Sequence, residues 1–287
     1  GRHSIVSFHY FNPHLFNNAA YLDVELFAGA RQYLYYLNAK QVVHQVDFGG
    51  LNLRFGGNRS LLKYVSFGLR SYNYRPQMTA VFSENDSTIS ATGLPAAIVA
   101  GLEERRIAAI SLGLHADFRD HPQYPLNGFW GAITAEKSDA EFNSEIDFDK
   151  LTFDGRLYTR LFGGQVLALN IKGGYVSEPA PFYERFYLGG ANSVRGYAER
   201  RITPVGYANR LLQGSAELRL PFAEPAPGSN KSPAYAVLFY DLGGAWLPGQ
   251  EPDSADLFRS AGFGFRFNIP VIGLTRFDFA FPIDKID

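Results

Sequence analysis

The sequence predicts an all-β chain, a transmembrane antiparallel β-barrel with about fourteen strands visible. Three observations predict it. The dominant hydrophobic period is two, the period of a strand. No apolar run approaches the roughly 18 residues of a membrane helix, so a chain that spans a bilayer here must do so as a barrel. The large aliphatic and aromatic residues gather on one face of each strand, whereas charges, Gly and Ala share the other, the reverse of a soluble barrel. Aromatics reach 15%, with 25 Phe and 17 Tyr beside 29 Gly, and charged residues only 19%. A β-sandwich with many surface aromatics is the competing reading.

In chain order, a strand over residues 4–11 stops at Asn12-Pro13. Strands over 19–30 and 32–43 follow, the second opening on Tyr33-Leu-Tyr-Tyr36, an interfacial girdle pattern. The strand over 47–55 ends at Gly56-Gly57-Asn58, and 63–74 ends in Tyr72-Asn-Tyr74. Residues 95–109 are the only stretch with helical character. A strand–turn–strand over 97–117 is favoured there, because Ile110, Leu112 and Leu114 alternate cleanly with Ser111, Gly113, His115 and Asp117. Asn127-Gly128 turns into a strand over 128–137, and Gly163-Gly164 separates strands over 150–162 and 165–176. The second of these sets Leu167, Leu169 and Ile171 against Ala168, Asn170 and Lys172. Strands over 210–221 and 234–246 flank a Pro/Gly/Ser-rich break at 225–230; in the latter, Leu238 and Tyr240 oppose Phe239 and Asp241. The last two, over 258–268 and 273–282, include Thr275, Phe277, Phe279 and Phe281 opposite Arg276 and Asp278. No linker divides the chain, so residues 1–287 read as a single barrel domain.

Composition excludes several classes. Charges nearly cancel, 27 Lys+Arg against 28 Asp+Glu, which argues against a basic nucleic-acid binder. Without cysteine there are no disulfides, thiolate metal sites or Cys nucleophiles. G-x-S-x-G, H-E-x-x-H and Walker patterns are missing, so the reading is non-enzymatic, with no cofactor and no metal. His115, Asp117 and His121 could be read as metal ligands, but polar residues facing a barrel interior beside a turn explain them better. Arg195, Tyr197, Arg200 and Arg201 form a basic-aromatic group that Glu184 and Glu199 dilute. The sequons at Asn58, Asn85 and Asn230 read as loops.

The most informative stretch is Glu184-Arg-Phe-Tyr-Leu-Gly-Gly-Ala-Asn-Ser-Val-Arg-Gly-Tyr197. Gly189, Gly190 and Gly196 suit positive φ and a fold-back, and Arg195 offers a planar fork of donors suited to a carboxylate. RFxLGGxxSVRGY resembles the signature loop of the BamA/TamA-like outer-membrane insertase and translocase superfamily, the bacterial surface antigen family, which also includes two-partner-secretion translocators and organellar import barrels. Four further segments match in order. Asp117-Phe-Arg119-Asp120, with Pro125 and Gly128, resembles the family's D-x-R-D…P…G hairpin. Gly214-Ser-Ala-Glu217-Leu-Arg219 resembles its G-x-x-E-x-R strand, and Phe239-Tyr-Asp241-Leu-Gly243 its F-x-D-x-G strand. Pro270…Arg276-Phe-Asp278…Pro282 resembles a P…R-x-D…P segment near the C-terminus. The motifs run from about Asp117 to Pro282; the first hundred residues match only in general character, with Asn12-Pro-His-Leu-Phe16 a weak likeness to an early turn.

The resemblance implies a sixteen-strand barrel in which the loop around Val194, Arg195, Gly196 and Tyr197 folds inward. Arg195 would meet Asp241 and Glu217, with Phe239 packed on its guanidinium and Arg219 and Gly243 nearby. It further implies insertion or translocation of outer-membrane or secreted proteins through a lateral seam and the lumen, in the bacterial outer membrane ahead of an organellar one. The partners implied are outer-membrane lipid and lipopolysaccharide, unfolded protein substrates, and periplasmic or lipoprotein accessory subunits, with no nucleic acid. Two alternatives stand: the anchor or export barrel of a patatin-like phospholipase or other passenger, and a passive pore. The chain departs from the family in carrying no POTRA module and in stopping just after the P…R-x-D…P segment. That implies either a chain lacking the two seam strands or a sequence that covers only part of the parent protein, with the native chain about 10 residues longer past Asp287, one tilted strand.

Overall fold

The alternating segments assemble as a meander, each pairing antiparallel with the next. The computed structural model describes residues 3–17, 19–37, 40–57, 65–77, 80–82, 96–223, 234–269 and 273–286. The strands are β1 (His3–Leu15), β2 (Ala20–Leu37), β3 (Lys40–Gly57), β4 (Val65–Pro76), β5 (Ala80–Phe82), β6 (Arg105–Asp117), β7 (Gly128–Ser138), β8 (Phe148–Arg160), β9 (Val166–Val176), β10 (Arg210–Ala223), β11 (Ala234–Trp246), β12 (Phe258–Ile269) and β13 (Gly273–Pro282). Twelve follow one another in a single sheet; the short β5 stands off this path and pairs β3. The sequons at Asn58, Asn85 and Asn230, the Pro/Gly/Ser break and Pro270 lie outside the described residues.

Three expectations are corrected. The segments read as strands over 19–30, 32–43 and 47–55 are two strands of 18 residues, paired without interruption from Ala20↔Gly57 to Leu37↔Lys40. The apparent breaks at Arg31 and His44 fall in mid-strand. There Tyr33, Leu34, Tyr35, Val42, His44 and Val46 are all buried, so alternation of polarity fades although the backbone stays extended. The segment favoured as strand–turn–strand over 97–117 instead opens with a helical turn, α1 (Ala96–Val99), before β6. Gly196 does not take positive φ; Gly189 and Gly190 do, at 102° and 104°.

The sheet is rolled, and its contacts prove the roll. β2 and β13 are ten steps apart in strand order; at about 4.8 Å per step a flat sheet would separate them by almost 50 Å. Yet Arg200 donates to the Gln32 carbonyl on β2, while Tyr197, three residues earlier, bonds the Asp284 carbonyl just past β13. Three residues span only about 10 Å. The sheet therefore curls around residues 177–209, the β9–β10 connection. Among the described residues β1 and β13 are not paired with each other.

The two faces differ as barrel faces do in lipid. Leu112, Leu169, Leu238, Tyr240 and Phe279 are all exposed on the outer face. Inside lie Arg70, Glu136, Lys150, Asp154, Glu217 and Asp241, each involved in ion pairs. A buried apolar cluster that includes Tyr35, Ile98, Ile107, Phe182 and Tyr207 forms where the β2–β3 hairpin, α1 and the β9–β10 connection meet.

Candidate functional site

The strand register builds the site before the loop arrives. Ser215, Asp241 and Ser260 lie side by side across β10, β11 and β12; two residues along, Glu217, Phe239 and Gly262 form the next inward row. Gly262 leaves room for the Phe239 ring, since a Cβ there would come within 2.5 Å of its Cζ. The wall thus presents one aromatic face flanked by two carboxylates.

Arg195 lies on that face. Its guanidinium carbon is 3.5 Å from the Phe239 ring centroid, a cation–π contact. Nε and Nη2 donate to the two oxygens of Asp241 at 2.7 and 2.6 Å, and Nη1 donates to Glu217 at 2.8 Å. The Arg195 amide also donates to Asp241, and the Ser215 hydroxyl donates to Asp241 at 2.7 Å. Asp241 is fully buried and the Arg195 side chain 6% exposed. Such a fork matches two parallel carboxylate oxygens, which an ammonium could not do.

Neighbouring residues explain the rest of the motif. A Cβ on Gly196 would strike Ser260 and the backbone of Phe281 and Pro282 at 2.6–2.8 Å, so the loop can approach β12–β13 only with glycine there. Gly243 serves the same end from the wall: Leu188 and Val194 pack where its side chain would be. Tyr197 Oη bonds the backbone of Arg259 and Asp284, joining loop and wall. Arg219 pairs with Glu217 at 3.3 Å and lies near the Tyr158 and Tyr235 rings.

The hairpin motif is elsewhere. Asp117, Arg119, Asp120, Pro125 and Gly128 sit in the β6–β7 turn. Asp117 accepts a forked bond from Arg119, Asp120 accepts from the Leu126 and Asn127 amides, and Gly128 takes φ 110°. This is turn chemistry, and the structure does not bring it to Arg195. His115 bonds Ser66, while His121 Nδ1 accepts from the Gln123 and Tyr124 amides. No group of three metal-ligating side chains occurs among the described residues. Arg200 is buried against Tyr33, Tyr187 and Tyr207, which removes it from any nucleic-acid surface.

Sequence reasoning missed a second cluster. Glu184, at the start of the same loop, is 4% exposed. It accepts from Arg70 on β4 at 2.8 Å, Lys150 on β8 at 3.1 Å and Tyr74 at 2.8 Å, and Arg70 is shared with Glu136 of β7. Burial alone would raise the Glu184 pKa, but Arg70 and Lys150 outweigh it and hold the carboxyl well below its ordinary value. Alternation could have found Arg70, Glu136 and Lys150 on inward faces. The convergence of Arg70 and Lys150 on Glu184 depends on the roll. Asp278 and Arg266, 2.7 Å apart beside Arg195, were likewise missed as site residues.

Comparison with known proteins places this geometry. The whole chain, residues 1–287, matches the Omp85 superfamily domain. Outer envelope protein 80 of Arabidopsis thaliana chloroplasts is 33% identical over 39% of this chain and 15% of its own length. The outer membrane protein assembly factor BamA of Nitratidesulfovibrio vulgaris is 28% identical over 64% of this chain and 24% of its own. The chain therefore spans a minor part of these relatives. Among solved structures, BamA of Haemophilus ducreyi lacking POTRA domains 1–3 aligns with 99% of this chain and 59% of its own at TM-score 0.69 and 17% identity. CdiB of Escherichia coli aligns with 94% of this chain and 48% of its own at TM-score 0.55 and 13% identity, which shows a shared fold. With its entire length matched, an all-β rolled sheet, an apolar outer face and a charged interior, the chain belongs to the Omp85 superfamily and is an outer-membrane β-barrel domain.

Proposed function

We propose that this domain is the non-enzymatic barrel of a protein that inserts outer-membrane proteins or passes unfolded chains across the membrane. The observation that carries the reading is the β9–β10 loop, held across the interior by Arg195, in a chain matched over its full length by the superfamily. One relative is named an outer membrane protein assembly factor, which favours insertion. A loop of more than thirty residues tied down inside the barrel disfavours a passive open pore.

The mechanism uses no bound nucleotide. A weakly paired seam in the complete barrel offers backbone donors and acceptors, and an incoming strand pairs there by β-augmentation. Unpaired backbone in hydrocarbon is costly, so pairing and release of a closed product run downhill. Arg195, Asp241 and Glu217 fix the loop while the seam opens.

The test is depletion of the protein in its own cells. Outer-membrane barrel proteins or secreted substrates should fall and recover with the wild-type gene, and recover only in part with Arg195→Ala. An envelope and secretome unchanged on depletion would overturn the proposal.

A further inference from the structure

We propose that the interior wall formed by β8, β9, β10 and β13 is a binding site for acidic polypeptide segments. The inference rests on the translocation or insertion reading above and names the chemistry of the chain that this barrel handles.

A cavity of about 320 Å³ lies beside the loop tip, and Arg156, Lys172, Arg195, Arg219 and Arg276 line it. Arg266 stands just behind, within 4.0 Å of Glu217. Among the described residues, the anions that touch these six cations are four: Asp154, Glu217, Asp241 and Asp278. Two positive charges are left over. Their distribution matters as much as their number. Asp241 is saturated by Arg195 and Ser215. Arg156 and Lys172 must share Asp154, and Lys172 reaches it only at 3.6 Å. Arg156, Lys172 and Arg276 are also the most exposed of the set, at 36%, 34% and 41%. The surplus therefore faces the open space.

A second cavity acts as an internal contrast. It occupies about 440 Å³ and is lined by Arg31, Arg70 and Lys150 with Glu25, Glu136 and Glu184, three of each sign, so it offers no net attraction. Of these two cavities, the one on the β8–β10/β13 wall carries the surplus of positive charge. In an interior shielded by membrane, the field of two uncompensated cations focuses on whatever enters. Arginine forks and a lysine suit carboxylates. Arg156 also stacks on Trp130 at 4.6 Å, which holds its guanidinium face in place. Because Asn192 and Ser193 of the loop tip line the same cavity, a bound segment would touch the loop as well as the wall.

The experiment uses the full-length protein in nanodiscs. A ten-residue glutamate-rich peptide with a photoreactive group is irradiated with it, and adducts are mapped by mass spectrometry. Adducts are expected on β8–β10, weakened by 1 M salt, which shortens the screening length to about 3 Å. The lysine-for-glutamate peptide should give none there. Arg156→Gln with Lys172→Gln should lower adduct yield about tenfold, the loss of one charged hydrogen bond or more. Asp154→Asn should raise it, because it frees both cations; a merely structural role would not produce a gain. Heat-modifiable gel mobility checks that each variant folds. Adducts spread evenly over both cavities, equal yield from both peptides, or no adduct of the glutamate-rich peptide on β8–β10 would each overturn the proposal. Adducts as expected in a protein whose depletion changes nothing would keep the site and sink the transport reading. Transport without adducts would do the reverse.

Discussion

Arg195 brings a permanent charge into a buried place, and its neighbours leave it little freedom to be anything else. Three features define the position: a fork to Asp241, a single bond to Glu217 and a ring beneath. Truncation to Ala strands Asp241 and takes one of its cations from Glu217, which keeps Arg219. A fully buried pair loses about 3–5 kcal/mol on such a break; beside a polar cavity about 1–3 kcal/mol is expected. Arg195→Lys should recover only part, because an ammonium makes no fork. Denaturant titration of the refolded barrel measures both. Gly196→Ala should do comparable damage without altering charge, since its Cβ meets backbone atoms that cannot swing away. Loop accessibility to protease separates it from a fold defect. Glu184 adds a pH dependence. Its folded pKa lies below the ordinary 4.5, so its stabilisation is complete above that value and declines as pH falls from there through the folded pKa. Glu184→Gln should flatten the acid side of the stability profile; an unchanged slope would mean that Glu184 does not hold the loop.

At the scale of the element, strand alternation decides which side chains meet lipid. Leu238 sits between Phe239 and Val237, which are buried inward, and is itself 51% exposed. Leu238→Arg should cost about 2–4 kcal/mol if the site is near mid-bilayer, measured by folding into liposomes. Spin labels at Leu112, Leu169 and Phe279 should report lipid contact. This alternation is also why most strands were legible in the sequence: a face in lipid and a face in a polar interior give a sharp period of two. Legibility failed where both faces are covered. At the tip of the β2–β3 hairpin, Tyr33, Leu34, Tyr35 and His44 are buried together, so one long hairpin read as three shorter strands. Strands of 18 residues, about 60 Å long, rise well past an apolar band of about 25 Å, so the tip obeys different rules from the lipid-facing middle. The Arg195 group was legible because its residues fall in ordered motifs. Glu184, Arg70 and Lys150 were not, because their contacts join positions 34 to 114 residues apart that only the rolled sheet brings together.

For the whole molecule, the loop is a brace with two ends of opposite sign. Glu184 meets Arg70 and Lys150 on β4 and β8, whereas Arg195 meets Asp241 and Glu217 on β11 and β10. Exchanging the two ends would set like charges together, so the wall itself rejects the reversed placement. Arg200 and Tyr207 add a third hold on β2 through the Gln32 and Leu34 carbonyls. The strands so joined are distant in sheet order, and the loop therefore fixes the curvature of the barrel as well as its own position. A Cys pair replacing Ser193 and Gln213, whose side chains meet at 3.2 Å, reports whether the tip is docked. Oxidation should be rapid in the parent protein and slower with either Glu184→Gln or Arg195→Ala. With both, the loss should be close to the sum of the two if the anchors act independently, since they share no partner. A combined effect no larger than that of Arg195→Ala alone would show that Arg195 holds the loop by itself. In that case the Glu184 cluster would belong to the wall between β4 and β8 and not to the brace.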